Sequence, residues 1–536
     1  MSHDWHTKLS ILNPLKQGFF RTLWIANVAS LIGTWMHEVG AAWLMTTLAP
    51  SPFMVAMVQT ASTLPFFLLA LPAGAFADII DRRRLLIATQ CWMLAISFIL
   101  GIMTIAGITT PSVLLILTFF LALGAAVNNP AWQSIIPELV VRDDLTSAIA
   151  LGSVGFNIAR AIGPVIGGFV VAAFGPGVTF ILNAVSFLGV LIVLMRWHRK
   201  HHERTLPEER LIGAMRAGIR YVRNAPQVKA VLIHSISFSF FGSSLWAFLP
   251  IISRQYLGLS AVGYGGFLGF FGGGAILGAS LLPLFRQRAS LNLIIGLSAN
   301  LYALVMIVLA YIHSYALLAL AMIAGGIAWL MILSILLSSI QAVIPSWVRG
   351  RVMSVHMLVF FGFMAAGSTL SGTIAVWAGI PVTLTIAALF LIAGTLVTQR
   401  YRLISGENLD LTPSAHWPSL SVSNEPELDE GPVLVVIEYR IDQTKSIDFT
   451  NAMQALKTIR CRDGAIRWNL FHDITDPKHY IESYIIESWG EHLRQHERIT
   501  VSDKEIEDRV LSFQTGKEPP IVMHFIAEPV PKEKVE

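Results

Sequence analysis

Long apolar runs and short polar gaps alternate through the first 400 residues. The runs fall near 19–47, 53–77, 85–107, 111–136, 146–173, 177–196, 229–253, 262–285, 290–312, 314–340, 352–378 and 381–400. Each approaches or exceeds the roughly 20 residues that a helix needs to cross a hydrocarbon core. The pattern predicts twelve transmembrane helices in two six-helix halves, 1–196 and 229–402, parted by a basic stretch at 197–228. Within that stretch Leu211, Ile212, Met215, Ile219 and Val222 recur at helical spacing among arginines. This predicts an amphipathic helix on the lipid surface. Residues 403–431 are rich in Pro, Ser, Asn, Asp and Glu and read as a flexible acidic linker. Over 432–536 strand patterns at 433–440, 465–474, 480–489 and 521–527 alternate with helical patterns at 447–459 and 491–513. The order β-α-β-β-α-β predicts a ferredoxin-like α+β domain. The fold class is thus an all-α polytopic membrane protein with a C-terminal α+β domain.

Composition agrees. The chain is 54% hydrophobic and 13% charged, against about 25% charged in soluble domains. The net charge of +4 is small, and its placement matters more than its size. Arg82 to Arg84, Arg142, the stretch Arg196 to Lys229, Arg286 with Arg288, Arg349 with Arg351, and Arg400 with Arg402 occupy every second gap. The intervening gaps near Ala49, Gly107, Gly175, His313 and Gly379 lack Lys and Arg, with Arg254 the exception. Basic loops stay in the cytoplasm. Both termini are therefore expected there, in a bacterial inner membrane, with an even number of crossings. The charge marks sidedness rather than a nucleic-acid surface. Cys91 and Cys461 provide no disulfide framework. Residues 1–18 show no signal-peptide core, so the first apolar run is the expected insertion signal.

The chain also repeats. Gly74-Ala-Phe-Ala-Asp78 through Arg84 is echoed by Gly278-Ala-Ser-Leu-Leu282 through Arg288. Gln133-Ser-Ile-Ile-Pro137 is echoed by Gln341-Ala-Val-Ile-Pro345. Both offsets are about 205 residues, which suggests two related halves around a shared path.

Intramembrane charge is costly and marks function by default. Glu38, flanked by Trp35, His37 and Trp43, is the expected proton-coupling carboxylate, with His37 as a relay. Contact with outer water, or a structural hydrogen bond, would also account for it. Arg160 is the second charge, placed to pair with Glu38 or with an anionic substrate group. Asn128 and Asn157 add polar groups to the same path. Asn27, Gln59, Asn183, His234 and His356, with Trp132, Phe156, Phe240, Phe241, Trp246 and Trp329, supply further path or packing candidates. Gly163, Pro164, Gly167 and Gly168 allow close helix approach and bending. His198, His201 and His202 lack a completing ligand for a metal site. The run Gly263 to Gly274 lacks the Gly-Lys-Ser/Thr ending of a phosphate loop. No cofactor is expected, and the energy source is an ion gradient. His492 and His496 share a helix face in the tail, expected to be solvated or a dimer contact.

Gly74-x-x-x-Asp78 followed by Arg82, Arg83 and Arg84 resembles the signature loop of the major facilitator superfamily. The resemblance implies that Asp78 faces the start of the eleventh helix, near Arg349 and Arg351, and latches the cytoplasmic side. Leu282 replaces the acid in the second half, so such a latch belongs to the first half. Gly163-Pro164-x-x-Gly167-Gly168 resembles the superfamily's antiporter motif, although Ala159 stands where that motif has a glycine. The fourth helix carries Asn128, Asn129 and Gln133 where many drug–proton antiporters carry an arginine. Trp35-Met-His-Glu38, Asn129-Pro130-Ala131, Pro137-Glu138-Leu139 and Arg349-Gly350-Arg351-Val352-Met353-Ser354 resemble the branch that includes the enterobactin exporter. The tail resembles dimeric α/β-barrel modules of the antibiotic-biosynthesis monooxygenase type, which implies a homodimer through that domain. The resemblance as a whole implies proton-coupled efflux of a small amphipathic molecule, with protons and membrane lipid as the other partners. The alternative is a membrane-anchored enzyme or sensor whose tail acts on a metabolite.

Overall fold

The computed structural model describes residues 7–197, 211–406, 409–417, 426–516 and 518–528. The side chains of 7–11, 74–79, 142 and 211–214 fall outside the described residues. So do His198, His201 and His202, together with the side chain of Asp78 and the surroundings of Gly74. The chain forms two compact units, one comprising 1–208, 230–338 and 354–403, the other 209–229, 339–353 and 404–536.

The long helices are α1 (Gly18–Leu48), α2 (Pro52–Ile79), α3 (Arg82–Ile105), α4 (Pro111–Leu139), α5 (Leu145–Phe174) and α6 (Pro176–Arg196). A short α7 (Leu211–Asn224) belongs to the second unit. Then follow α8 (Pro226–Ile251), α9 (Ala261–Arg286), α10 (Leu291–Tyr311), α11 (Tyr315–Ala342), α12 (Arg349–Ala378) and α13 (Ile380–Thr398). Among the described residues, eleven helices are long and apolar enough to cross a membrane. The 31-residue α1 is not among the eleven. It is long enough, but Asn27, His37 and Glu38 lower its hydropathy.

Local chemistry sets the helix ends. The hydroxyls of Thr110 and Ser290 accept the first free backbone N–H groups of α4 and α10. Gly175 and Gly379 adopt φ of +84° and +79°, which glycine tolerates, so α5 turns at once into α6 and α12 into α13. These two glycines lie 204 positions apart, close to the offset of the sequence repeat.

Arg82 and Arg83 sit in the first turn of α3 rather than in a loop. They are unfavourably placed for their own helix dipole and instead complete the ends of neighbouring helices. Arg82 binds Glu138 at 2.7 Å and the Ser134 carbonyl at 3.1 Å, at the end of α4. Arg83 donates to the carbonyls of Leu194 and Met195 at the end of α6, both at 2.9 Å. Arg286 bonds Ser338 of α11, and both partners lie 204 residues beyond Arg82 and Ser134. The repeat thus recurs in geometry.

Helix α1 packs on α5 and α6, α3 on α4 and α6, and α10 on α13. The two sets, α1–α6 and α8–α13, meet closely where α5 lies on α9. A Cβ at Gly168 would approach the Ala261 carbonyl oxygen to 2.5 Å, and one at Gly265 would approach that of Pro164 to 2.5 Å. Gly163 and Gly167 serve a different contact: their missing side chains admit Trp35 and Met36 of α1.

In the second unit, strands β1 (Val433–Arg440), β2 (Arg467–His472), β3 (His479–Ile486) and β4 (Ile521–Ile526) form an antiparallel sheet in the order β2-β3-β1-β4. Helices α14 (Ser446–Asp463), α15 (Trp489–Arg498) and α16 (Val501–Leu511) accompany it. The single helix expected over 491–513 is two helices. Thr500 and Asp503 form a capping box that starts α16 afresh. The expected flexible linker is partly docked: residues 409–417 lie on the tail, where Ser414 bonds Ile499 and Trp417 donates to Glu507. Helix α7 packs against α14, where Arg462 lies 5.5 Å from the Tyr221 ring and Asn224 donates to the Cys461 carbonyl. The apolar row expected at the lipid surface is therefore not the face buried in protein, and Ile219 of that row stays exposed.

Gly326 of α11 tests these close approaches. A Cβ there would lie 1.9 Å from the Phe271 carbonyl oxygen, whereas Gly273 has open space. Gly326→Ala is expected to destabilise the protein by about 1–3 kcal/mol in detergent melts, with Gly273→Ala near wild type.

Candidate functional site

Arg160 projects from α5 among aromatic side chains of both helix sets, α1–α6 and α8–α13. Its guanidinium carbon lies 6.0 Å from the ring centroid of Trp35, 5.9 Å from Trp246, 5.4 Å from Phe271 and 5.8 Å from Trp329. Those rings come from α1, α8, α9 and α11. They also hold one another: Trp246 lies 5.0 Å from Phe271 and 5.4 Å from Trp329. The side chain of Arg160 aims across the interface because Gly272 lets α9 rest on the backbone of Arg160 and Ala161. Arg160 is only 6% exposed, and its Nε has no hydrogen-bond partner. Among the described residues it makes no ion pair with Glu38 or any other acid.

Glu38 lies one turn beyond Trp35 on α1, about 4.5 Å further along the axis. It is half-buried. Ser62 of α2 faces its carboxylate without completing a well-aligned hydrogen bond, and Tyr264 of α9 lies nearby. Trp43 stacks on Tyr264 at 6.0 Å. His37 turns away into the packing of α1 with α3 and α6. Its Nδ1 meets Ser97 Oγ at 3.3 Å and its ring packs 4.5 Å from Phe180. No described bond joins His37 to Glu38.

The other expected path residues divide. Asn128 accepts from Thr89 at 2.9 Å, and Asn157 donates to the Ser153 carbonyl at 2.9 Å, so both have local bonds. His234 meets the Tyr401 carbonyl at 3.1 Å and His356 meets Ser235 at 3.0 Å, inside the second set. Asn183 is buried against α1 opposite Gly33. Asn27 and Trp132 line a small open cleft with Trp24 and Ile136. Phe240 and Phe241 pack on each other at 5.1 Å.

Arg254, the exception to the charge pattern, has a role the sequence did not disclose. It lies in a π-helical turn, Ile252–Tyr256, that ends α8. From there it bonds Thr46 at 3.1 Å, also reaches Thr47, and lies 5.4 Å from the Trp43 ring. This ties α8 to the end of α1 that is remote from Arg82. Phe271 was also hidden, inside a glycine-rich run; the one available signal was a bulky aromatic among small residues.

The second unit holds its own polar centre. Buried Glu482 accepts from Tyr439 at 2.9 Å, Trp468 at 2.8 Å and Arg460 at 3.3 Å. Arg460 also binds Glu507 at 2.8 Å. Burial opposes charge on Glu507, but Arg460, Trp417 and His416 outweigh it and hold the carboxyl below its ordinary range. Glu491 binds Arg498 at 2.6 Å and Arg220 of α7 at 2.6 Å. Arg498 stacks 4.3 Å from Trp347, in the turn that leads to Arg349 and Arg351. Of that gating pair, Arg349 is exposed and Arg351 is half-buried, with its Cβ against Gly218. His492 is not on a solvated face. It is buried beside His496 and His524, with ring centroids at 4.9 and 4.8 Å. Neither ring nitrogen of His492 has a partner. Burial, with His496 and His524 alongside, holds its imidazole down at about 3. No cluster of three or more metal-ligating side chains occurs among the described residues.

Long apolar helices that meet across a charged, aromatic-lined interface define a multi-pass membrane transporter. The chain belongs to the transmembrane secretion effector family, matched over residues 9–532. It is 24% identical to the staphyloferrin A transporter of Staphylococcus aureus, over 68% of this chain and 92% of that protein. It is 23% identical to the multidrug efflux pump Tap of Mycobacterium tuberculosis, over 73% of this chain and 94% of that one. Among solved structures, a bacterial homologue of the lysosomal transporter Spinster in an inward-facing, unoccupied conformation aligns with TM-score 0.58 and 16% identity, covering 73% of this chain and 98% of that one. A POT family transporter aligns with TM-score 0.60 and 14% identity, covering 72% and 96%. These structures share the fold. The family and these relatives are transporters, not enzymes.

Two outcomes follow from the geometry. Arg254→Ala is expected to open the α1–α8 tie, so a cysteine at Ala261, now 2% exposed, should react several-fold faster with maleimide in a background lacking Cys91 and Cys461. For the tail, the unfolded chain takes up a proton at His492 near 6.5 and the folded one only near 3. Between those values the unfolded state binds more protons, so stability falls as pH falls. The protection of α15 against hydrogen exchange, taken relative to the intrinsic rate at each pH, should therefore fall from pH 6.5 to 4, and His492→Phe should blunt the effect.

Proposed function

We propose that the protein is a proton-coupled exporter of small amphipathic molecules in a bacterial inner membrane. Its twelve long helices, α1 included, would form two six-helix halves that alternate access to a shared path, with both termini in the cytoplasm. The carrying observation is Glu38: a carboxylate in mid-helix, half-buried, facing α2 and α9 beside the Arg160 cage. A membrane carboxylate with water on one side and hydrocarbon on the other can load and release a proton as access changes. His37 is bonded to Ser97 and is assigned a packing role. Gly163, Pro164 and Gly167 allow α5 to move against α1. Gly74, Asp78, Arg82 and Arg83 of the first unit are assigned to gating, as are Arg349 and Arg351 of the second. The efflux relatives support the direction of transport, and the likeness to the staphyloferrin A transporter supports counting a siderophore among the candidate cargoes.

The tail is read as a ferredoxin-like assembly domain, for which its sheet order is the support. Phe471 and Phe525 expose about half of their surface on edge strands, as a sheet that pairs face to face with a second copy would require. Its bonds to α7 and to the turn before Arg349 give it a hold on the gate.

In proteoliposomes with an imposed pH gradient, wild type is expected to concentrate an amphipathic fluorescent probe. Glu38→Gln should do so at less than about a tenth of that rate, a loss of more than 1.4 kcal/mol. Equal wild-type rates with and without the gradient would exclude proton coupling.

A further inference from the structure

The transporter reading leaves one group unsatisfied. Arg160 is a buried cation whose Nε–H finds no acceptor among the described residues. Four ring faces surround its guanidinium at 5.4 to 6.0 Å. Aromatic faces attract a cation but accept no strong hydrogen bonds. A desolvated guanidinium without an acceptor is costly, and the nearest intramembrane carboxylate, Glu38, does not pair with it.

We infer that Arg160 and its ring cage form the substrate-recognition site, and that the substrate is an organic anion with a flat apolar body. A carboxylate or sulfonate would accept two parallel N–H bonds from the guanidinium, a geometry that arginine favours. The apolar body would lie on Trp35, Trp246 and Trp329. These rings come from both helix sets, so a bound anion touches both sides of the path. An anion leaving a cell is driven outward by the inside-negative potential, so such cargo suits export.

The inference rests on the transporter reading but is tested apart from it. Purified full-length protein in detergent is titrated with 2-naphthoate, 2-naphthamide and 2-naphthylmethylammonium, and quenching of tryptophan emission is followed. The three probes share one aromatic body and differ in charge. Wild type is expected to bind naphthoate at least tenfold tighter than the other two. Arg160→Gln should erase that preference, and Arg160→Lys, which keeps the charge but not the fork, should retain part of it. Should Arg160→Gln fail to fold, the charge series on wild type and Arg160→Lys decides. Absent naphthoate binding, equal binding of the three, a preference for the ammonium, or an unchanged preference in Arg160→Gln would overturn the inference. Equal wild-type transport with and without the pH gradient would instead overturn proton coupling and leave the charge preference standing.

Discussion

One buried positive charge constrains the membrane part of this protein. Arg160 cannot be left bare in hydrocarbon, and no acid neutralises it among the described residues. Four aromatic faces do so in part, each worth about 0.5–2 kcal/mol. Reaching them requires the backbones of α5 and α9 to come closer than any side chain would allow. This is why glycines line both helices, from Gly272 beside Arg160 to the pair Gly168 and Gly265. The glycines, the rings and the arginine are thus one device, and it joins the two helix sets where α5 lies on α9. An interface held by ring faces, rather than by carboxylates, can release its cation without leaving a second charge stranded.

The second unit solves a related problem differently. Its charges are paired: Arg460 with Glu482 and Glu507, and Arg498 with Glu491. Buried pairs of this kind add little net stability but are expensive to break singly. Their consequence is that the tail, α7 and the turn before α12 are held in one arrangement. The histidines of α15 are the exception, buried and without partners for His492.

The architecture was legible because hydrophobic periodicity and loop charge act locally and additively. Every predicted apolar run became a helix, and the strand order of the tail followed from alternation. Arg82 and Arg83 were read in a short gap between apolar runs, and the structure sets them in the first turn of α3. Their partners, the ends of α4 and α6, were not visible, because they lie 52 and more residues away in sequence.

By itself the sequence determined which segments are apolar, which gaps are basic, that the chain repeats, and that Glu38 and Arg160 are the charges to watch. Only the tertiary structure decided what those charges face. It turned adjacent His37 and Glu38 in different directions, because successive residues on a helix lie about 100° apart. It gave Arg160 a cage of rings drawn from four helices, and gave Arg254 a place at the end of α1. It buried His492, which spacing alone had set on a surface. Periodicity reports that a side chain is apolar or charged, but its partner is fixed by the packing of helices distant in the chain, and no local pattern encodes that.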